Sequence, residues 1–101
     1  MAMDPLDPYD IEQQQSDEVE KAKLKRQQYE EEFKALMRLP QFRRYMWRQL
    51  EMNGVYRTTF RPNSEMAFLE GVRAVGVRMQ AECHALALEE SFLMMREALN
   101  E

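Results

Sequence analysis

The sequence has few residues that break helices and few that build metal or disulfide sites. Its 101 residues include three Gly, four Pro, one Cys and one His. One cysteine cannot form an internal disulfide, and one Cys with one His cannot supply the three or four ligands of a zinc site. With 32% charged residues and so few helix breakers, the composition favours helix over sheet. It therefore predicts an all-α protein that needs no cofactor.

Long apolar runs are also absent. No stretch approaches the roughly 20 apolar residues that a membrane-spanning helix requires. The first eight residues are acidic and lack the basic region that opens a signal peptide. We therefore expect a protein without a membrane-spanning segment that stays in the cell where it is made.

The charges are unevenly distributed along the chain. The net charge is −4, yet residues 1–20 carry seven acidic residues and no basic one, whereas residues 38–78 carry eight arginines and three glutamates. Residues 1–15 also hold two prolines and too little apolar surface to offset the entropy of ordering them. We therefore expect an extended acidic tail over 1–15 and a single helical domain over 16–101. Within that domain, 16–28 reads as a projecting charged arm.

Local signals predict about three helices, the first of them over 17–38. Asp17 and Glu20 have the spacing of a capping box, with acidic side chains at the positive end of the helix dipole. Pro40 ends this helix, because the residue before a proline is pushed out of the α region.

The second helix is expected over 40–52, since proline suits the first helical position and Gly54 suits the left-handed position after the last. The third is expected over 65–99, with Asn63 or Ser64 as its N-cap. A helix of that length is long for a small domain. We expect it either to kink near Gly76 or to extend beyond the domain.

The expected core is formed by one face of helix 40–52, an aromatic connector and the first half of the last helix. Glycines at 71 and 76 would let the aromatic side chains approach that helix closely. Trp47 should be buried, and Arg44 and Arg48 exposed. The residues expected in the core are Phe42, Met46, Trp47, Leu50, Tyr56, Phe60, Phe68, Gly71, Val72 and Gly76.

No pattern in the sequence predicts a catalytic site. Cys83 and His84 are adjacent, and adjacent side chains on a helix point about 100° apart, so they do not form a nucleophile–base pair. The acidic runs at 30–32 and 89–90 read as solvated helix surface, without the contrasting environments that acid–base catalysis needs. The two glycines at 71 and 76 lack the following Lys-Ser/Thr and the loop context of a phosphate-binding motif.

Arginines interleaved with aromatic residues are the candidate binding feature. Such a pattern suits phosphate contact and base stacking, but it also suits pairing with carboxylates at protein interfaces. The acidic net charge favours protein over nucleic acid. The acidic segment of a neighbouring subunit would be one such partner. The residues expected to contact a partner are Arg43, Arg44, Arg48, Arg57, Arg61 and, at the end of the last helix, Met94, Met95 and Leu99.

Two motifs resemble a family of small tailed-bacteriophage proteins typified by a Bordetella phage protein. The first motif is Leu39-Pro40-x-x-Arg43-Arg44-x-x-Trp47-x-x-Leu50-Glu51-x-x-Gly54-Val55-Tyr56-x-Thr58-x-Phe60. The second is Ala67-Phe68-x-Glu70-Gly71-x-Arg73-x-Val75-Gly76. The resemblance covers roughly 36–95 and implies a phage origin, a small all-helical domain and no enzymatic activity.

Taken together, these observations predict a non-enzymatic phage structural or assembly protein that binds other virion proteins as a homo- or hetero-oligomer. It would be located in the virion, and in the host cytoplasm during assembly. Within the virion, the head–tail connector or the internal ejection region is favoured over the shell. The alternative hypothesis is a DNA-binding accessory protein of phage genome packaging or replication.

Overall fold

The computed structural model describes residues 7–61 and 64–100, which form four helices and no strand. The helices are α1 (Pro8–Met37), α2 (Pro40–Met52), α3 (Glu65–Leu86) and α4 (Leu88–Leu99). The all-α prediction is confirmed. Two parts of the three-helix prediction are wrong. Helix α1 begins earlier than predicted, and the single helix predicted over 65–99 is two helices, α3 and α4.

Helix α1 begins at Pro8, so the extended tail predicted for 1–15 is wrong over 8–15, and its residues 1–6 lie outside the described part of the chain. The Asp7 carboxylate accepts the backbone N–H of Tyr9 at 3.0 Å, and Pro8 occupies the first turn, where its missing N–H costs nothing. The N-terminal capping predicted for Asp17 is therefore performed by Asp7, ten residues earlier. Asp17 itself lies within the helix and accepts a hydrogen bond from Gln13.

The chain divides into two compact units, Met1–Glu32 and Phe33–Glu101. In the first unit, no residue of 8–32 is buried. Pairs one helical turn apart stabilise the helix there, namely Gln13–Asp17, Gln28–Glu32 and Arg26–Glu30. The projection of 16–28 as an arm stays a prediction.

The boundaries of α2 are as predicted. Leu39 precedes the helix with extended dihedral angles, and Pro40 takes the first helical position. Gly54 follows the helix at φ +70°, in the left-handed region that favours glycine. The Gln49 carbonyl accepts the backbone N–H of Asn53 at 3.0 Å and also the Asn53 side-chain amide at 2.8 Å, so Asn53 bonds twice to the last turn of the helix.

The N-cap expected for the third helix is only partly visible. Asn63 lies outside the described residues. Ser64 stands directly before Glu65 with helical dihedral angles, and no cap hydrogen bond from its side chain occurs among the described residues. Ser64 therefore occupies the expected N-cap position, but within the described residues its side chain does not cap the helix.

The predicted helix over 65–99 is broken at Ala87 (φ −146°, ψ 62°), not near Gly76. The Ala87 N–H still bonds to the Cys83 carbonyl, and the Ala87 carbonyl accepts the N–H of Ser91, so the break leaves this backbone satisfied. At 1.5 Å per residue, an unbroken helix would carry Met94 away from the residues that it contacts. The break turns α4 back against α2 and α3 and buries Ser91 and Met94.

The core of the second unit contains side chains from all four helices and from the connector after α2. Phe33 and Phe42 meet edge to face, with ring centroids 6.3 Å apart. Phe42, Trp47, Met79 and Leu86 pack partly buried around the centre. The buried hydrophobic residues are Phe33, Met37, Met46, Leu50, Val55, Cys83, Ala87 and Met94.

The residues expected in the core separate into those that face it and those that do not. Those that are buried or partly buried are Phe42, Met46, Trp47, Leu50, Val72 and Gly76. Those that are exposed, against expectation, are Tyr56, Phe60, Phe68 and Gly71. Phe60 and Phe68 are 70% and 71% exposed. Phe68 shares the helical phase of Val72 and Met79, but it stands in the first turn of α3, N-terminal to the buried residues Gly76 and Cys83.

Cys83 is fully buried, and this predicts a slow reaction with thiol reagents. Burial, together with the nearby Glu82 carboxylate, raises its pKa from 9.0 to about 11. Native protein at pH 8 should therefore react with a disulfide reagent on the order of a hundredfold more slowly than urea-unfolded protein, from thiolate content alone. Equal rates in the two states would contradict the burial.

The raised pKa of Cys83 also fixes how the thiol contributes to stability at high pH. Because the folded-state pKa lies above the unfolded value, this contribution is complete below about pH 9 and is lost as the pH rises toward 11.

A candidate partner-binding cleft between α2 and α4

The candidate site is a cleft of about 160 Å³ between α2 and α4. Three of the predicted partner-binding arginines line it, all from α2. Its lining residues are Arg43, Arg44, Trp47, Arg48, Glu51, Met94, Glu97 and Ala98.

Arg43 is buried, which corrects the prediction that it faces a partner. It is 6% exposed, and its Nε and Nη2 donate to the two Glu97 carboxylate oxygens at 2.6 and 3.4 Å. Its Nη1 donates to the carbonyl of Met37, the last residue of α1, at 3.0 Å. Arg43 thus joins the end of α1 to α4, and its role is structural.

Arg44 and Arg48 differ from Arg43 in having no carboxylate partner. Both are exposed, and neither makes an ion pair within residues 7–61 and 64–100. The two carboxylates of the cleft are already engaged: Glu97 binds Arg43, and Glu51 accepts the indole N–H of Trp47 at 2.8 Å. The cleft can therefore receive an additional carboxylate, supplied from outside.

Trp47 is partly buried, and one of its ring faces is occupied. Its indole stacks on the Tyr56 ring, with centroids 4.9 Å apart and an interplanar angle of 25°. The Tyr56 hydroxyl in turn accepts a hydrogen bond from Gln80 at 3.1 Å, and burial of this group raises the Tyr56 pKa. The predicted Arg–aromatic surface thus uses two of its aromatic rings for internal packing.

Of the other predicted partner residues, Met94 lines the cleft, and Arg57, Arg61, Met95 and Leu99 do not. Arg57 and Arg61 are exposed on the connector, where Arg61 donates to the carbonyl of Phe60. Met94 is 2% exposed and packs in the core, because the break at Ala87 turns it inward. Its predicted role at an interface is therefore wrong. Met95 is partly buried, and Leu99 is exposed.

No residue of the cleft could serve as a nucleophile with a base beside it. Outside the cleft, Cys83 is buried, while the neighbouring His84 is exposed, with its ring 6.4 Å from that of Phe92. The described part of the chain has no group of three or more side chains arranged to hold a metal ion. None of its helices is both long enough and apolar enough to cross a membrane.

The sequence could have revealed the burial of Arg43, because it stands three and seven residues before Met46 and Leu50, on the same face of α2. It gave no signal for Glu97, 54 residues further along the chain.

Comparison with known proteins gives one match. A family model for Bbp19-like phage proteins matches residues 33–97. Searches of curated proteins and of solved structures found no match. The matched range begins where the second compact unit begins, at Phe33, and covers every residue of the cleft except Ala98.

Proposed function

Because the chain belongs to the Bbp19-like phage protein family, we propose that it is a non-enzymatic phage structural or assembly protein that binds other phage proteins through α2. One observation carries this proposal: Arg44 and Arg48 lie exposed beside the cleft without a carboxylate partner among the described residues. Both lie within the range that the family model matches.

The exposed face of α2 has the composition of a protein interface. Tyr45 and Met52 are exposed on the same side of the helix as Arg44 and Arg48. Arginine, tyrosine and methionine are enriched at such interfaces, and charged residues other than arginine are depleted. A partner segment that carries one or two carboxylates and an apolar side chain would complement this face.

The non-enzymatic part of the proposal is supported by how the cleft uses its charged groups. Glu51 and Glu97 are each held by a donor from α2, which leaves no carboxylate in the cleft free for acid–base work. What remains available there are two guanidinium groups one helical turn apart, which bind carboxylates and do not transfer protons at neutral pH.

A DNA-binding accessory function would use the same arginines. Stacking on bases would use an open aromatic ring; Trp47 already stacks on Tyr56, whereas Tyr45 is exposed beside the arginines. A protein partner is the better fit because the chain is acidic overall, with a net charge of −4.

Replacing both Arg44 and Arg48 by alanine should reduce the protein's incorporation into phage particles at least tenfold. The change removes two charge-assisted contacts, and 1.4 kcal/mol already corresponds to a factor of ten in affinity. The measurement is quantitative mass spectrometry of purified particles, with Arg96→Ala as the matched control, because Arg96 is an exposed arginine outside the cleft.

Absence of the unmodified protein from purified particles would contradict a virion role. Particles that retain the Arg44/Arg48 double variant at normal levels would show that α2 is not the binding surface. DNA binding that falls steeply with salt and is lost in the double variant would favour the packaging or replication alternative.

A further inference from the structure

The outward side of α3 is short of the polar side chains that a solvent-facing helix surface carries. The core-facing side of this helix holds Val72, Gly76, Met79 and Cys83. The opposite side, which we call the outer face of α3, is exposed at every position. Its residues are Ala67, Glu70, Gly71, Ala74, Val77, Arg78, Ala81 and Ala85.

This composition is unusual, because a helix that lies on the surface of a domain normally has charged and polar residues opposite its core face. Here only Glu70 and Arg78 are charged, and neither makes an ion pair with another described residue. Val75, also exposed, lies along one edge of the same face and extends its apolar surface.

Gly71 adds an independent observation. A Cβ atom built at this position meets no described heavy atom within 4 Å, so no contact with a described residue requires glycine there. Glycine inside a helix costs about 1 kcal/mol relative to alanine. A second helix packed closely against the outer face would give this glycine a role, since small residues let helix axes approach to the short end of the usual 8–10 Å.

The charges of the outer face are arranged symmetrically about Ala74. Glu70 lies four residues before it and Arg78 four residues after it. If a second copy of α3 packs antiparallel about a twofold axis at Ala74, Glu70 of each copy faces the partner's Arg78. Ala67 then faces the partner's Ala81 in the same way.

We propose that two copies of this chain associate through the outer faces of α3, antiparallel and related by a twofold axis at Ala74. Such an interface is isologous, and the two Glu70–Arg78 pairs flank an apolar centre of small residues. A parallel arrangement in register would instead place Glu70 opposite the partner's Glu70, and Arg78 opposite the partner's Arg78. The charge pattern therefore selects a second antiparallel copy as the occupant of this face.

This surface is separate from the proposed binding face of α2, and the inference does not depend on the proposed function. The two can be distinguished because a charge change on α3 should alter self-association of the purified chain, whereas changes at Arg44 and Arg48 should alter its incorporation into phage particles.

The test is sedimentation equilibrium of the full chain and five charge variants. Glu70→Arg or Arg78→Glu alone turns both attractive pairs of the dimer into repulsive ones, and each should raise the dimer dissociation constant at least tenfold. An equimolar mixture of the two single variants should form a heterodimer with restored affinity. The double variant, with both charges reversed, should also dimerise like the unmodified chain.

The matched control is Arg96→Glu, a charge reversal at an exposed residue of α4 outside both surfaces, which should leave the dissociation constant unchanged. Ala74→Glu, which places two like charges at the axis, should weaken the dimer on the order of a hundredfold. Far-UV circular dichroism establishes that each exposed-site variant is folded.

Three results would overturn the proposal. The first is a chain that stays monomeric up to roughly 1 mM, the concentration range of very weak complexes. The second is an undiminished dimer in both single variants. The third is a mixture of the two single variants that does not recover association.

Discussion

Glu97→Ala is expected to lower the free energy of unfolding by about 3 kcal/mol, the lower end of the range for breaking a buried ion pair. The substitution removes both carboxylate oxygens that accept from Arg43 and leaves its guanidinium, 6% exposed, with only the Met37 carbonyl. The lower end applies because the Glu97 side chain is 34% exposed and water can reach part of the site.

A matched substitution on the other partner separates the charge effect from packing. Arg43→Met removes the positive charge and keeps a side chain that fills most of the space, and the Glu97 carboxylate that remains is accessible to water. Its cost should be smaller, about 1–2 kcal/mol. Arg44→Ala, next in the sequence and exposed, should lie within about 0.5 kcal/mol of the unmodified chain.

Urea unfolding followed by circular dichroism measures all three variants, with unchanged m-values as the sign that the same surface is exposed on unfolding. A loss below 1 kcal/mol for Glu97→Ala would contradict a structural role for the pair. So would an Arg43→Met variant less stable than Glu97→Ala.

The sequence predicted helix ends well where a single residue decides them. Pro40 has a φ fixed near the helical value, and Gly54 can adopt a positive φ. As a result, α2 begins at Pro40 and ends before Gly54. The start of α1 was misplaced because Asp17 with Glu20 and Asp7 with Pro8 are both good starts, and only the second is used. Between two local signals of similar strength, the sequence offers no basis for choice.

The break at Ala87 has no local signal. Alanine is the best helix former, and no proline or glycine lies between 77 and 101. The break exists because Met94 is buried only when α4 turns back on α2 and α3, and this gain from tertiary contacts exceeds the cost of burying the Ser91 hydroxyl, which has no hydrogen-bond partner among the described residues. Tertiary packing overrides local propensity at such positions, and a single sequence does not display the packing.

The candidate site was predicted in the same uneven way. All three arginines of α2 were predicted to bind a partner. Arg43 is buried and structural, whereas Arg44 and Arg48 are exposed. Arg43 differs from Arg44 and Arg48 in two ways. It lies on the core-facing side of α2, and it donates to Glu97, which lies on another helix. Similarly, the two glycines of α3 look alike in sequence, yet one is buried and the other is exposed.

Gly76→Ala is expected to destabilise the protein by about 2 kcal/mol, although alanine is the better helix former. A Cβ atom at this position would lie 2.6 Å from Val55 Cγ2 and 2.7 Å from Asn53 Cβ. Val55 is buried and β-branched, and Asn53 Cβ is attached directly to the backbone, so relief requires the turn after α2 to move. Overpacking of this kind costs roughly 1–3 kcal/mol, which exceeds the gain in helix propensity.

Gly71→Ala, five residues earlier in the same helix, should have the opposite sign. Its added methyl group meets no described atom within 4 Å, so only the propensity gain of about 1 kcal/mol remains. Both variants are measured by urea unfolding at low protein concentration, where association does not contribute to stability. The two free energies should differ by about 3 kcal/mol, combining overpacking with propensity. If both variants shifted in the same direction, the close approach of the α2–α3 connector to Gly76 would not be a feature of the folded protein, because nothing else distinguishes these two positions so sharply.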